Sequence, residues 1–120
     1  MKVTFINYPK CSTCQKAKKF LEENGVKFID RNIVTDTPTA TELTTWIEQS
    51  ELSISKFFNT SGILYRNMNL KENLKYCSNE EKINMLSSDG MLIKRPILVV
   101  KNQVLLGFKE EQWKDVLKLN

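Results

Sequence analysis

The sequence predicts one α/β domain of 120 residues, a four-stranded sheet flanked by helices. Three observations predict it. The chain opens as strand, helix, strand and closes as strand, strand, helix. Between these halves, at about residues 39–90, lies an insertion with helical spacing and turn residues. The length suits a single core.

The elements follow in order. Residues 2–7 form a short β-branched and aromatic run, Val3-Thr4-Phe5-Ile6, and predict a strand. Cys14, Ala17, Phe20 and Leu21 then recur at helical spacing. Ser12 with Gln15 three positions later fits a capping box, and Asn24-Gly25 is an αL-competent stop. Val26 to Ile29 predicts the second strand, followed by a polar stretch to Thr37. Thr39 or Thr41 caps a helix running to about Gln49, with Leu43, Trp46 and Ile47 inward. Phe57-Phe58 precedes a turn-rich segment, Asn59-Thr60-Ser61-Gly62. Residues 70–76 and 79–87 predict two short helices, the second opened by a Ser78–Glu81 capping box and followed by an Asp89-Gly90 turn. Ile97-Leu98-Val99-Val100 is continuously apolar, as in a strand covered on both faces. Lys101-Asn102-Gln103 turns the chain into a hairpin partner, Val104-Leu105-Leu106. Residues 109–118 close it as a helix with Trp113, Val116 and Leu117 on one face.

Composition removes several function classes. The hydrophobic fraction is 41% and the charged fraction 27%, ordinary for a globular protein. No apolar run reaches membrane-span or signal-peptide length, so a cytoplasmic protein without a membrane partner is expected. There is no histidine, which excludes Cys–His pairs, Ser–His–Asp triads and His-ligated metal sites. Three cysteines are too few for a four-cysteine zinc site. The net charge of +4 is mild, and without a dense basic stripe no direct nucleic-acid binding is expected. Lys16, Lys18 and Lys19 read as the solvated face of the first helix.

The chemistry concentrates in Cys11-Ser12-Thr13-Cys14. A Cys-x-x-Cys pair at a helix start brings two sulfurs within disulfide reach, and the helix N-terminus stabilises a thiolate. Near a βαβ unit in a cytoplasmic chain, it reads as a redox motif. Cys11 lies in the loop and is expected to be the exposed nucleophile of lower pKa. Cys14 lies on the apolar face and is the expected resolving thiol. Arg95-Pro96 heads a strand. The residues alone favour a surface arginine and a trans bond. Cys77 reads as a part-buried side chain, and Asn7 and Asn59 as local hydrogen-bonding residues.

Three segments together carry a resemblance. Tyr8-Pro9-Lys10-Cys11-Ser12-Thr13-Cys14, Lys56-Phe57-Phe58-Asn59-Thr60-Ser61-Gly62 and Lys94-Arg95-Pro96-Ile97-Leu98 resemble the ArsC/Spx family over essentially the whole chain. That family includes glutaredoxin-linked arsenate reductases, the Spx transcriptional regulators and a group of ArsC-like proteins. The resemblance implies a thioredoxin-like, mixed four-stranded sheet with the helical insertion between its βαβ and ββα halves. It implies a cis peptide at Arg95-Pro96 and places Arg95 beside the Cys11 sulfur. Catalysis by Cys11, Cys14 and Arg95 is implied, with Ser12, Thr13, Asn59, Arg95 and Pro96 binding substrate. No bound cofactor or metal is implied. The implied partners are a thiol reductant (glutathione with glutaredoxin, or thioredoxin) and an oxyanion or protein disulfide substrate. In the Spx manner, the partner would be the RNA polymerase α-subunit.

Departures from the family pattern narrow this. Arsenate reductases of this class have a histidine where this chain has Asn7. Of their three anion-binding arginines only Arg95 is matched; the others fall on Asn59 and on Gly107 or Phe108. Each charge-assisted hydrogen bond contributes about 1.5–3 kcal/mol, so weaker oxyanion binding is implied. Cys14 points toward an internal disulfide. The sequence ends soon after its closing helix, without the longer basic tail of Spx regulators, which favours the ArsC-like group.

Overall fold

The computed structural model describes residues 1–119. Its sheet is built from β1 (Val3–Asn7), β2 (Ile29–Asn32), β3 (Ile97–Val100) and β4 (Gln103–Leu106), in the spatial order β2-β1-β3-β4. β1 runs parallel to β2 and antiparallel to β3, with Ile6 opposite Ile97, and β3–β4 is an antiparallel hairpin. Among the described residues six helices flank this mixed sheet: α1 (Ser12–Glu23), α2 (Ala40–Ser50), α3 (Ile63–Asn67), α4 (Leu70–Asn73), α5 (Asn79–Ser88) and α6 (Glu110–Leu117). None of them is long and apolar enough to cross a membrane.

Alternation along the strands divides the core in two. Val3, Phe5, Leu98 and Val100 face α1 and α6, where they pack with Ala17, Phe20, Leu21, Trp113 and Leu117. Ile6, Ile97 and Val104 face the helical segment between β2 and β3, meeting Leu43, Trp46, Phe57, Phe58, Leu86 and Ile93. The unbroken apolar sequence of β3 thus has a covering layer on each side. Trp113 is fully buried, edge-on to Phe5 and Phe108, and its indole N–H donates to the Gly107 carbonyl at 3.1 Å.

The second strand starts later than the sequence suggests. Val26 belongs to the α1 terminus: with Gly25 at φ +65°, the Val26 N–H donates to Leu21 and the Gly25 N–H to Glu22, a Schellman closure. Val26 and Phe28 then pack onto the α1–α6 cluster. The strand proper, Ile29–Asn32, is mostly polar because it is an edge with little cover. Residues 63–67, to which the sequence assigns no element, form the short helix α3.

Capping boxes open α2 at Thr39–Glu42 and α5 at Ser78–Glu81. Glu42 also accepts a forked pair of hydrogen bonds from Arg31, at 2.7 and 2.8 Å, tying α2 to β2. The Arg31 guanidinium holds the Glu42 carboxyl down at about 2, against an ordinary 4.5. Farther along, Phe58 bridges Ile93, the Asn59 N–H donates to Leu92 and the Lys94 N–H to Phe57. This small ladder brings residues 57–59 beside the segment that leads into β3. A short 3₁₀ turn, Gly90–Leu92, seats that segment against the backbone after β2. A Cβ on Gly90 would lie 2.0 Å from the Ile33 carbonyl oxygen.

Two outcomes follow from these contacts. Gly90→Ala forces backbone apart and should cost about 2 kcal/mol or more, read as a lowered midpoint in urea unfolding. Glu42 contributes stability that is full above the ordinary carboxyl range and lost as pH falls toward about 2, because its folded pKa lies below its unfolded one. Thermal unfolding across acidic pH should therefore show a smaller acid-induced loss in Glu42→Gln than in the wild type, with a lower Tm at neutral pH.

Candidate active site

The site begins where β1 gives way to α1. Pro9 restricts Tyr8 to extended backbone, and the Cys11 N–H donates to the Tyr8 carbonyl at 3.0 Å. That turn leaves Cys11 in the half-helical N-cap position, with extended backbone at φ −85° and ψ 121°. The cap therefore lies one residue earlier than the Ser12–Gln15 pattern suggests. Ser12 is the exposed first residue of α1, and the Gln15 amide donates to the Pro9 carbonyl at 2.9 Å instead. An N-cap side chain faces the free N–H groups of the first turn, where an oxygen acceptor usually sits. Here a sulfur occupies that place.

Cys11 is half-buried and Cys14 is 1% exposed; both are free thiols. Partial burial pushes the Cys11 thiol up, but it is outweighed by the Cys14 backbone N–H, the Cys14 thiol and the Arg95 guanidinium. The net shift is downward. Cys14 moves the other way, to about 12. Burial is the main cause, with the neighbouring Cys11 adding to it against the opposing Tyr8 N–H. One helical turn thus holds an activated thiol and a suppressed one.

Arg95 comes from the segment before β3, through a cis bond to buried Pro96. Its Nε and Nη1 are buried without hydrogen-bond partners, and its guanidinium lies over the Tyr8 ring, 5.2 Å from the centroid. A pocket of about 410 Å³ opens beside it, lined by Cys11, Thr13, Asn59, Ser61, Lys94 and Arg95, with Ile63, Leu64 and Met91 as its apolar wall. Its charged side chains are both cationic.

Of the residues named from sequence, Cys11, Thr13, Asn59 and Arg95 share this pocket. Ser12 does not line it, and neither does Pro96, whose carbonyl accepts the Gly107 N–H at 2.8 Å. Cys14 lines a separate cleft of about 180 Å³ with Asn7, Lys18 and Asp30. There Asn7, 5% exposed, donates to Asp30 at 2.7 Å, and Lys18 pairs with Asp30 at 3.0 Å. Lys18 is therefore tied to β2 rather than simply solvated. Phe108 packs on Phe20 and Trp113, away from any anion role. Gly107 adopts a positive φ of +73°, with the Lys94 side chain 3.7 Å from where a Cβ would stand. Sequence reasoning gives Lys94 and Tyr8 no role of their own. Their only signal is adjacency to Arg95 and to Pro9.

Comparison with known proteins places these motifs in a wider group. The model of the ArsC family matches residues 6–116. The Bacillus subtilis protein YusI is 49% identical over 96% of this chain and 98% of its own length. The regulatory protein MgsR of the same organism is 29% identical over 88% of this chain and 82% of its own. The crystal structure of an ArsC-family-related protein from Bacteroides fragilis superposes with a TM-score of 0.92, at 48% identity over 97% of this chain and 98% of that one.

The thiol asymmetry has a direct readout. At neutral pH, iodoacetamide should modify Cys11 well ahead of Cys14, as located by peptide mass spectrometry. The Cys11 rate should titrate with a midpoint below the ordinary thiol value of 9.0.

Proposed function

The chain belongs to the ArsC family, and from that premise we propose that it is a thiol–disulfide oxidoreductase. The observation that carries this reading is the opposed pair of thiols in one helical turn, with Arg95 at the first of them. The Cys11 thiolate attacks one sulfur of a substrate disulfide. A Cys11–substrate disulfide forms, and the other substrate sulfur leaves as a thiolate that takes up a proton. Cys14 then loses its proton and attacks Cys11 Sγ, releasing the second substrate thiolate. An external dithiol or glutathione reduces the resulting Cys11–Cys14 disulfide. No tightly bound cofactor takes part.

The half-reaction also regulates its own order. While Cys11 is anionic, its charge and its contact with Cys14 oppose ionisation of the second thiol. Once Cys11 is part of a mixed disulfide that opposition is gone, and Cys14 becomes the better nucleophile when it is needed. Thr13 and Asn59 border the pocket as candidate substrate contacts.

Arsenate is the weaker substrate candidate. Arg95 is the sole arginine lining the pocket, with Asn59 and Gly107 or Phe108 at the positions of the other two anion-binding arginines. A second reading, a redox switch that binds the α-subunit of RNA polymerase, draws on the 29% identity to the regulator MgsR. There the same disulfide would form without turnover. Binding to the carboxy-terminal domain of the polymerase α-subunit in only one redox state would favour it.

A reductase assay on model disulfides and on arsenate, with thioredoxin or glutaredoxin recycling, tests the main reading. Wild type should reduce disulfides, and Cys11→Ser should lose that activity by a factor of about 10³ or more. Cys14→Ser should accumulate a mixed disulfide at Cys11, visible as an intact-mass adduct. Inactivity of the wild type on every disulfide with either reductant would sink the reading.

A further inference from the structure

The two half-buried arginines, Arg31 and Arg95, are held in opposite ways. Arg31 lies 5.8 Å from the Trp46 ring but is neutralised by Glu42 and Asp36. Arg95 lies over the Tyr8 ring, and its buried Nε and Nη1 meet no acceptor. Among the described residues no carboxylate lines its pocket. An unpaired guanidinium is a flexible group with several rotamers, and something must fix it. An aromatic face can do so without cancelling its charge.

Tyr8 is placed to link the whole site. Its carbonyl accepts the Cys11 N–H, its own N–H faces the Cys14 sulfur, and its ring lies under Arg95. The first two contacts are main-chain and survive any substitution at the position that keeps the backbone. The ring contact alone depends on the side chain. We propose that Tyr8 is a positioning residue whose ring face holds the unpaired Arg95 guanidinium beside Cys11, so that its charge acts on the thiol. A carboxylate in that place would fix Arg95 equally well but would quench the field that Cys11 requires. The other titratable groups facing Cys11 are Cys14 from α1 and, across the pocket, Lys94.

The inference rests on the reading of Cys11 as the working nucleophile, but its test needs no turnover. The measurement is the pH dependence of Cys11 alkylation in the full chain, followed by mass spectrometry. Tyr8→Phe keeps the ring and should titrate as the wild type does. Tyr8→Leu removes it and should raise the midpoint, with a loss of roughly three- to tenfold in rate below that midpoint. Tyr8→Met is a second non-aromatic variant should the leucine variant fold poorly, as judged by thermal unfolding. Arg95→Met should raise the midpoint too, and adding Tyr8→Leu to it should change nothing further, since Tyr8 acts only through Arg95.

Three results would overturn the proposal. They are a wild-type midpoint in both non-aromatic variants, an undiminished Tyr8→Leu shift in the Arg95→Met background, or a Tyr8→Phe shift as large as that of Tyr8→Leu. Absence of disulfide reductase activity in the wild type, with the alkylation pattern as expected, would count against the proposed function and leave the role of Tyr8 standing.

Discussion

The antiparallel register that sets Ile6 opposite Ile97 governs everything at the site. Because β1 and β3 run in opposite directions, the end of one and the start of the other lie at the same end of the sheet. The loop leaving β1 carries Tyr8 and Cys11, and the segment entering β3 carries Lys94 and Arg95. Two stretches at opposite ends of the sequence therefore meet because their strands pair. The register is enforced from both sides. Ile6 and Ile97 turn toward the helical layer while Phe5 and Leu98 turn toward α1 and α6. A slip of one residue would exchange those faces and expose or bury the wrong set at every position. The hairpin β3–β4 and the ladder between residues 57–59 and 92–94 then hold the same end of the sheet from its other neighbours.

Within that frame the two cationic centres illustrate different uses of partly buried charge. Arg31 has its hydrogen bonds met by Glu42, Asp36 and nearby carbonyls, and it serves to join α2 to the edge strand. Arg95 leaves two buried donors unmet. Unsatisfied buried donors carry a penalty of about 1–3 kcal/mol each, so a purely structural arginine here would be a poor solution. The unmet donors make sense beside an acceptor that is present only part of the time. A thiolate at Cys11, or an anionic group on a substrate, is such an acceptor.

Much of this is legible in the sequence, and the failures have physical reasons. β1, β3, the β4 hairpin and α6 announce themselves because their packing faces are apolar and periodic. β2 does not, because an edge strand made of Asp30, Arg31 and Asn32 has no apolar signature. The apolar Val26 and Phe28 that seem to mark it are used in closing α1 and filling the core. The Ser12–Gln15 pattern misplaces the helix cap because the Pro9 turn delivers Cys11 there first. The cysteine pair stands out by motif and spacing, whereas Arg95 reads alone as a surface charge and is placed beside Cys11 only by the family resemblance. That Thr13 and Asn59 share their pocket while Ser12 and Pro96 do not cannot be read from spacing, since it depends on side-chain direction. Tyr8 and Lys94 are easily passed over because an aromatic or a lysine beside a motif is ordinary in sequence, and only the fold shows what each one faces.

The separation of the two sulfurs bears on how such a site can work in either of its readings. With its pKa pushed up to about 12, Cys14 stays a neutral thiol at neutral pH. Of the two motif thiols, Cys11 is therefore the nucleophile at rest, at the mouth of the cationic pocket. Cys14 faces a second, smaller cleft whose ionic groups, Asp30 and Lys18, are already paired with each other. The Tyr8 N–H on that side favours its anion, but burial outweighs it. Its ionisation depends on what happens at Cys11, because part of the suppression comes from the Cys11 charge itself. A reaction that converts Cys11 into a disulfide removes that part and eases ionisation of Cys14, while burial continues to oppose it. In a turnover enzyme this ordering holds Cys14 back until a substrate disulfide, the oxidant, has engaged Cys11. A switch needs it to stay reduced until an oxidant has engaged the exposed sulfur. On the proposed reading the two opposed thiols would act in sequence, and whatever enters the pocket beside Arg95 would decide between turnover and signalling.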